Sequence, residues 1–558
     1  MPTVFQERAP VSLYDAQFAG TTRAPIADAV IQAIVRSLVR FKHICTTFGV
    51  PRDQVRVVAT EATREAQNSQ QFRDAIAAAT GWTVQLLAKA DEARLGAWGV
   101  ASSLADVVGL VMDLGGGSTQ LTWLVSRGGT ARMAPTPVSL PYGAAALTKR
   151  LETAISTAAI HAIRDEIRTR LAAGFAQLQL PPELLAPQQQ PPDQPLPQLP
   201  QLPQLPAEHG LTLYLSGGGF RGFGYLLLAE HAIQPYPVPI INGFSVPGAS
   251  FISLADSHLL QLLPSADPHA TPDPSAVATA TPATTTAAMT EAVAATTAFR
   301  ISERRARQIP AVALLVSTLV TALPRIANVV FCQGGVREGA LYETLPPHVR
   351  SRDPLVVATA PFAPPAAEEF VKLLAHALPR SAPAAVRRIV RPLAHVMLLH
   401  ADVPRESRAS CGLATPTTGA LASVHGLTHA TRALLALALC HRWGGEVADA
   451  SLRTRLALLV GSECEFWSRF LGAVAAVAGA IYPAGTLVGD EERVRFFGED
   501  AGPADHPFVA LRIRFAPGDA VSDAPAVARK VDAVEKVGKK KRCGTFRRKV
   551  EVIVERDL

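Results

Sequence analysis

In Val111-Met112-Asp113-Leu114-Gly115-Gly116-Gly117-Ser118-Thr119-Gln120 an apolar run ends on an aspartate, three glycines follow, and two hydroxyl residues close the turn. A buried strand ending here delivers the Asp113 carboxylate to the mouth of the turn. Gly115, Gly116 and Gly117 free the backbone to adopt positive φ. Successive N–H groups in such a turn converge on an anion, with Ser118 and Thr119 as further donors. Asp113 is then suited to hold Mg²⁺ or to orient a water beside a bound phosphate. The same string is compatible with a plain hairpin turn, since three glycines alone require no ligand.

Outward from this turn the pattern alternates strands and helices. Residues 54–60 and 83–88 read as strands, 107–113 as a buried strand and 120–125 as its return. A helix capped by Asn68 or Ser69 runs to Ala79 and stops at Gly81, and residues 90–104 form a second, amphipathic helix. Strand 211–215 runs into Ser216–Gly219, and helix 310–323 leads to strand 328–332 and a turn at Gln333–Gly335. From about residue 346 the signals are mainly helical, up to a final strand at 550–554. This is an α/β body followed by a helical region.

Two segments lack the composition of a core. Residues 187–206 hold eight prolines and seven glutamines, which favours extended polyproline geometry, as an expanded loop or an SH3-type ligand. Residues 264–298 are mostly Ala, Thr, Pro and Ser and read as a surface insertion. Deleting either is expected to leave the cooperative unfolding transition nearly unchanged.

The 558-residue chain is 48% hydrophobic and 18% charged, enough for several packed domains. Its net charge of +7 is concentrated in residues 529–549, where ten basic residues face two acidic ones. That cluster reads as a solvated basic edge or as a nuclear or nucleic-acid signal. Six scattered cysteines without a CxxC pair argue for reduced thiols and against a disulfide or zinc framework. The start of the chain carries no signal-peptide core, and the longest uninterrupted apolar runs are shorter than a bilayer span. A cytoplasmic protein without a membrane partner is expected. His425 and His429 are spaced i, i+4, but no HExxH pattern completes a metal site, and a structural pair is expected.

The stretches Ala59–Asn68 (ATEATREAQN), Asp91–Leu95 (DEARL) and Asp113–Thr119 (DLGGGST) together resemble the exopolyphosphatase/guanosine pentaphosphate phosphohydrolase (Ppx/GppA) family. LPYGA at 140–144, SGGGFR at 216–221 and GVREG at 335–339 fit the same family. FQERAP at 5–10, YDAQ at 14–17, CQGG at 332–335 and RWGG at 442–445 resemble its fungal regulatory branch. The resemblance implies an α/β, actin-like (ribonuclease H-like) two-lobed ATPase-type fold with a mainly helical C-terminal domain. Residues 1–106 would form the first lobe, 107–345 the second and 346–558 the helical domain.

By the same resemblance Glu92 is the catalytic glutamate that positions or deprotonates water. Its plainer reading is half of an acid–arginine ladder on its own helix. Asp113 matches the loop aspartate, and Gly115, Gly116, Gly117, Ser118 and Thr119 the second phosphate loop. Arg64 and Arg337 either neutralise phosphate or form structural salt bridges.

Two departures stand out. Gln120 replaces the family's usual glutamate, which weakens a Mg²⁺ site at Asp113. The Asp-x-Gly-Ser hairpin that opens the family, its first phosphate loop, has no counterpart in this sequence, so a first lobe with an N-terminal truncation and a catalytically silent protein are expected. The function implied is a regulator of mitochondria-to-nucleus signalling. It would bind a phosphorylated small molecule, nucleotide or polyphosphate and act on a protein partner. Nucleic acid is not expected, and a homodimer is compatible. The competing implication is an active Mg²⁺-dependent phosphoanhydride hydrolase.

Overall fold

The computed structural model describes all residues except 1–2, 20–21, 155, 186–209, 263–300, 487–492, 504, 517–523, 540–545, 547 and 557–558. Both low-complexity segments, and part of the basic tail, lie outside the described residues.

The N-terminal part is built on helix α1 (Asp28–Thr47), strand β1 (Val57–Ala59), helix α2 (Ser69–Thr80) and strand β2 (Val84–Leu86). β1 and β2 pair in parallel, and Ile31, Phe72, Ile76 and Val84 close a small core beneath them. Gly81, at φ 73°, ends α2 where the sequence places the stop. Helix α3 (Lys89–Ala101) leaves this core and packs onto the next sheet.

That sheet has seven strands. β3 (Val107–Leu114), β4 (Thr119–Arg127) and β5 (Thr130–Met133) form an antiparallel meander, and β6 (Val138–Leu140) pairs with β4. Helices α4 (Ala144–Thr153) and α5 (Thr157–Gln177) precede strand β7 (Leu211–Gly217), which joins β3 in parallel. Helix α6 (Gly218–Ala229), strand β8 (Ser245–Pro247), helix α7 (Gly248–Leu262) and helix α8 (Glu303–Ala322) lead to β9 (Ile326–Phe331), parallel to β7. The spatial order is β8-β9-β7-β3-β4-β5. A meander extended by two parallel strands on its first-strand side is the ribonuclease H-like arrangement expected of an actin-like lobe.

Both faces of this sheet are covered, which explains the continuous apolar run before Asp113. Leu110, Met112 and Leu114 point to the α4, α6 and α8 side, and Val107 and Val111 to Trp98 and Val100 of α3. α8 starts seven residues before the proline expected to open it, so Pro310 is buried inside the helix.

Helix α9 (Val336–Tyr342) follows β9 and packs along α3. The C-terminal region holds helices α10 (Ala367–His376), α11 (Arg408–Thr417), α12 (His429–Arg442) and α13 (Ser451–Ile481). Strands β10 (Val494–Ala501) and β11 (Phe508–Phe515), helix α14 (Pro525–Glu535) and strand β12 (Lys549–Arg556) complete it. β10 pairs antiparallel with β11, and β11 pairs parallel with β12. The expectation of a single strand here was incomplete, although Leu511, Ile513 and Phe515 alternate with Arg512 and Arg514, the period of a half-buried strand. α13 is long and apolar enough to cross a membrane by length and composition, and 83% of its apolar stretch is buried in this domain. A break at Gly461, φ 79°, divides it.

Candidate functional site

Three connections leave the carboxyl ends of the adjacent parallel strands β3, β7 and β9: loop 115–118, the direct passage at Gly217 into α6, and loop 333–335. Ligands of open α/β sheets bind in the crevice beyond such strand ends. Asp113 pairs in register with Ser216 and Leu114 with Gly217, so the first two connections lie side by side. Gly217 has φ 92°, and a β-carbon there would collide with the Leu114 carbonyl.

None of Gly115, Gly116 and Gly117 takes the expected positive φ; the first loop instead has its carbonyls held by the start of α4. The N–H groups of Gly143, Ala144 and Ala145, where α4 begins, donate to the carbonyls of Gly117, Gly115 and Gly116, each at 2.9 Å. Gly115 N–H donates to the Ser118 carbonyl at 3.0 Å. The N–H groups of Gly116, Gly117 and Ser118 meet no protein acceptor among the described residues. Two predicted hydroxyl donors separate here. Thr119 donates to the Tyr142 carbonyl at 2.6 Å, while Ser118 Oγ stays in the loop and accepts from Gln120 Nε2 at 3.0 Å. The LPYGA stretch is therefore the scaffold of the loop.

Asp113 is half-buried, and its Oδ1 accepts a hydrogen bond from Ser216 Oγ at 2.7 Å. Burial raises its pKa, against the Ser216 bond and Arg221. α3 crosses above: a β-carbon on Gly96 would stand 3.7 Å from Asp113 Oδ2. Glu92 lies one helical turn before Gly96 and therefore on the same face. Arg64 binds the Glu92 carboxylate at 3.2 and 3.3 Å and the Leu87 carbonyl at 2.6 Å. Burial raises the Glu92 pKa, Arg64 opposes it, and Asp113 and Glu61 add to it.

Glu61 was missed by the sequence reading. Its carboxylate lies directly over Gly117, where any β-carbon would collide with it. Burial raises its pKa against Arg23 and Arg64. It stands three residues before Arg64 in the same quoted stretch, but only the packing of Thr60–Arg64 against the loop shows which side chain arrives there.

These raised values have a pH consequence. A carboxyl group whose folded pKa exceeds its unfolded one binds more protons in the folded state, so stability falls as pH rises through the folded pKa. Asp113→Asn is expected to melt above wild type at pH 8, with the difference vanishing toward pH 4. Equal melting temperatures at both pH values would contradict the burial argument.

Arg337 is not brought to the first loop. It binds Glu338, whose other oxygen accepts the Gly335 N–H at 3.0 Å. Arg221 takes the position at the crevice: its Nε donates to the Gly217 carbonyl at 3.2 Å, and its charge reaches Asp113. Arg8 and Arg305 are both held below the usual arginine pKa, by burial and then by neighbouring arginines, Arg221 among them.

A family model for the Ppx/GppA phosphatase family matches residues 1–180, and one for the RTG2 C-terminal domain matches residues 353–557. Retrograde regulation protein 2 of Saccharomyces cerevisiae is 35% identical over 504 residues, covering 87% of this chain and 77% of that protein. The chain belongs to the Ppx/GppA phosphatase family. Among solved structures, a Ppx/GppA member from Aquifex aeolicus is similar at 18% identity and TM-score 0.39, over 57% of this chain and 82% of that one. An exopolyphosphatase from Cytophaga hutchinsonii gives 18% and 0.37, over 59% and 86%.

This Ppx/GppA protein thus has the α/β, actin-like fold with a helical C-terminal region. Among the described residues no three His, Cys, Asp or Glu side chains are grouped to hold a metal ion. Asp113 accepts from Ser216 on Oδ1 only and Glu92 is held by Arg64, so a Mg²⁺ ion here would be held by Asp113 Oδ2 together with phosphate and water oxygens. Gln120 Oε1 is buried without a partner, in keeping with an amide where the family usually has a carboxylate. His425 and His429 are buried and neutral, with pKa values lowered by burial to about 4 and about 3, and His429 Nδ1 lies 2.9 Å from the Tyr236 hydroxyl.

Proposed function

We propose that this protein is a cytoplasmic regulator of the retrograde type, signalling from mitochondria to nucleus. It binds a phosphorylated small molecule, nucleotide or polyphosphate at residues 115–118 and passes its state to a protein partner. One observation carries the reading. The carbonyls of Gly115, Gly116 and Gly117 are held by the start of α4, which leaves the Gly116, Gly117 and Ser118 N–H groups as a preformed set of anion donors. Arg221 and its arginine neighbours add positive charge at the adjacent connection.

The test is ligand-induced thermal stabilisation with polyphosphate, guanine nucleotides and phosphate. A ligand at 100 times its Kd adds about 2.7 kcal/mol. Gly116→Val is expected to remove the part of the response that arises at residues 115–118, because its branched side chain blocks approach to the donors and crowds Tyr14. If no such ligand shifts the wild-type transition, the cradle reading fails.

A second reading, hydrolysis, is favoured by the placement of Glu92 on the face of α3 that overlies Asp113. Released phosphate from long-chain polyphosphate with Mg²⁺ separates the two. The regulator reading expects background release from wild type and from Glu92→Ala alike. Release that disappears in Glu92→Ala would establish the hydrolase.

A further inference from the structure

The C-terminal domain buries two arginines on α12, and their charges are met differently. Arg432, 1% exposed, donates to the carbonyls of Pro416, Leu421 and Val424 at 2.7, 2.9 and 2.5 Å. Arg442, 5% exposed, has its Nε buried without a partner, and no hydrogen bond or ion pair holds its guanidinium among the described residues. Its guanidinium presses on Gly479 of α13, where a β-carbon would collide with it, and lies 4.2 Å from the centre of the Trp443 ring. The Trp443 indole N–H is likewise buried without an acceptor.

More cations gather at this point. Arg408 lies 5.1 Å from the centre of the Trp443 ring, with its own guanidinium anchored on the carbonyls of Val403 and Ala401. Burial, then Arg442, Arg405 and Arg529, lower the Lys530 pKa, and burial, then Arg408, push Arg442 down to about 10. No carboxylate pairs with any of these five cations among the described residues. A buried charge without a counter-charge is strongly unfavourable.

We propose that Arg442, the Trp443 indole N–H and Arg408 form a second anion site, with Lys530 adding positive charge to it, for a phosphate-type oxyanion presented by inorganic phosphate or by a phosphate monoester. A guanidinium binds such an oxyanion through two parallel hydrogen bonds, and the indole donor takes a further oxygen. The site shares no residue with the crevice and stands whether or not the crevice binds phosphate.

The test is the melting transition of the full chain, titrated with inorganic phosphate and with phosphoserine at constant ionic strength, against sodium chloride. Run in the Gly116→Val background, it isolates the C-terminal site. Phosphate is expected to raise the transition there while chloride does not. Lys530→Gln, at a half-exposed position, should raise the half-saturating phosphate concentration about tenfold. Arg442→Met should abolish the response and melt no lower than its parent without phosphate, since it removes an unpaired charge. A stronger response to phosphoserine than to phosphate identifies an ester as the source. A phosphate response no larger than that to chloride, or one that survives unchanged in both Arg442→Met and Lys530→Gln, overturns the proposal.

Discussion

Trp467→Ala is expected to destabilise the C-terminal domain by about 3–5 kcal/mol, the usual range for removing a fully buried large aromatic. Trp467 is 0% exposed on α13 and meets Phe466 and Phe470 edge-on, with ring centres 5.1 and 5.7 Å away. Arg548, just before β12, places its guanidinium 5.8 Å from the ring centre. The indole therefore joins the long helix to the segment that enters the edge strand. Alanine leaves a cavity that helices locked by the close passage of α12 and α13 at Gly472 cannot collapse to fill. For a domain of about 200 residues the loss corresponds to roughly 10 °C in Tm. Calorimetry checks it: a fall of less than about 2 °C would mean that Trp467 is not part of the cooperative core.

Gly339→Val is expected to damage both stability and the crevice. A β-carbon at Gly339 would run into the Leu95 carbonyl of α3, and one at Gly99 into the Gly335 carbonyl. α3 and α9 therefore touch backbone to backbone, and a valine must push them apart. Overpacking of this kind costs about 1–3 kcal/mol, and a rigid carbonyl as the obstacle places it at the upper end. The same displacement moves Glu92, which α3 carries, away from Arg64 and Asp113. Urea unfolding of the variant should show the loss, and its melting response to crevice ligands should weaken. A variant with wild-type stability and an intact response would show that α3 is free to shift without consequence.

Legibility differed between backbone and side chains. The strand before Asp113, its return after the glycines and the stop at Gly81 follow from apolar runs and glycine placement, which are local properties of the chain. β10 and β11 carried a readable alternation too, but they lie within a region dominated by helical periodicity. Their pairing with β12 is a contact between distant segments, which no local window contains.

Side-chain partners at the crevice were less accessible. Composition and motif spacing determined that a glycine turn follows a buried strand ending on an aspartate, that Glu92 sits on a helix, and that the chain alternates strands and helices. Only the tertiary structure decided that Thr119 turns to Tyr142, that Arg64 closes on Glu92, that Arg337 closes on Glu338, and that Glu61 covers Gly117. It also decided that Arg442 is buried without an acceptor while Arg432, ten residues earlier on the same helix, has three. The physical reason is range. Periodicity and glycine conformational freedom act within a few residues and specify elements, whereas the partner of a buried charge is set by which distant backbone crosses it.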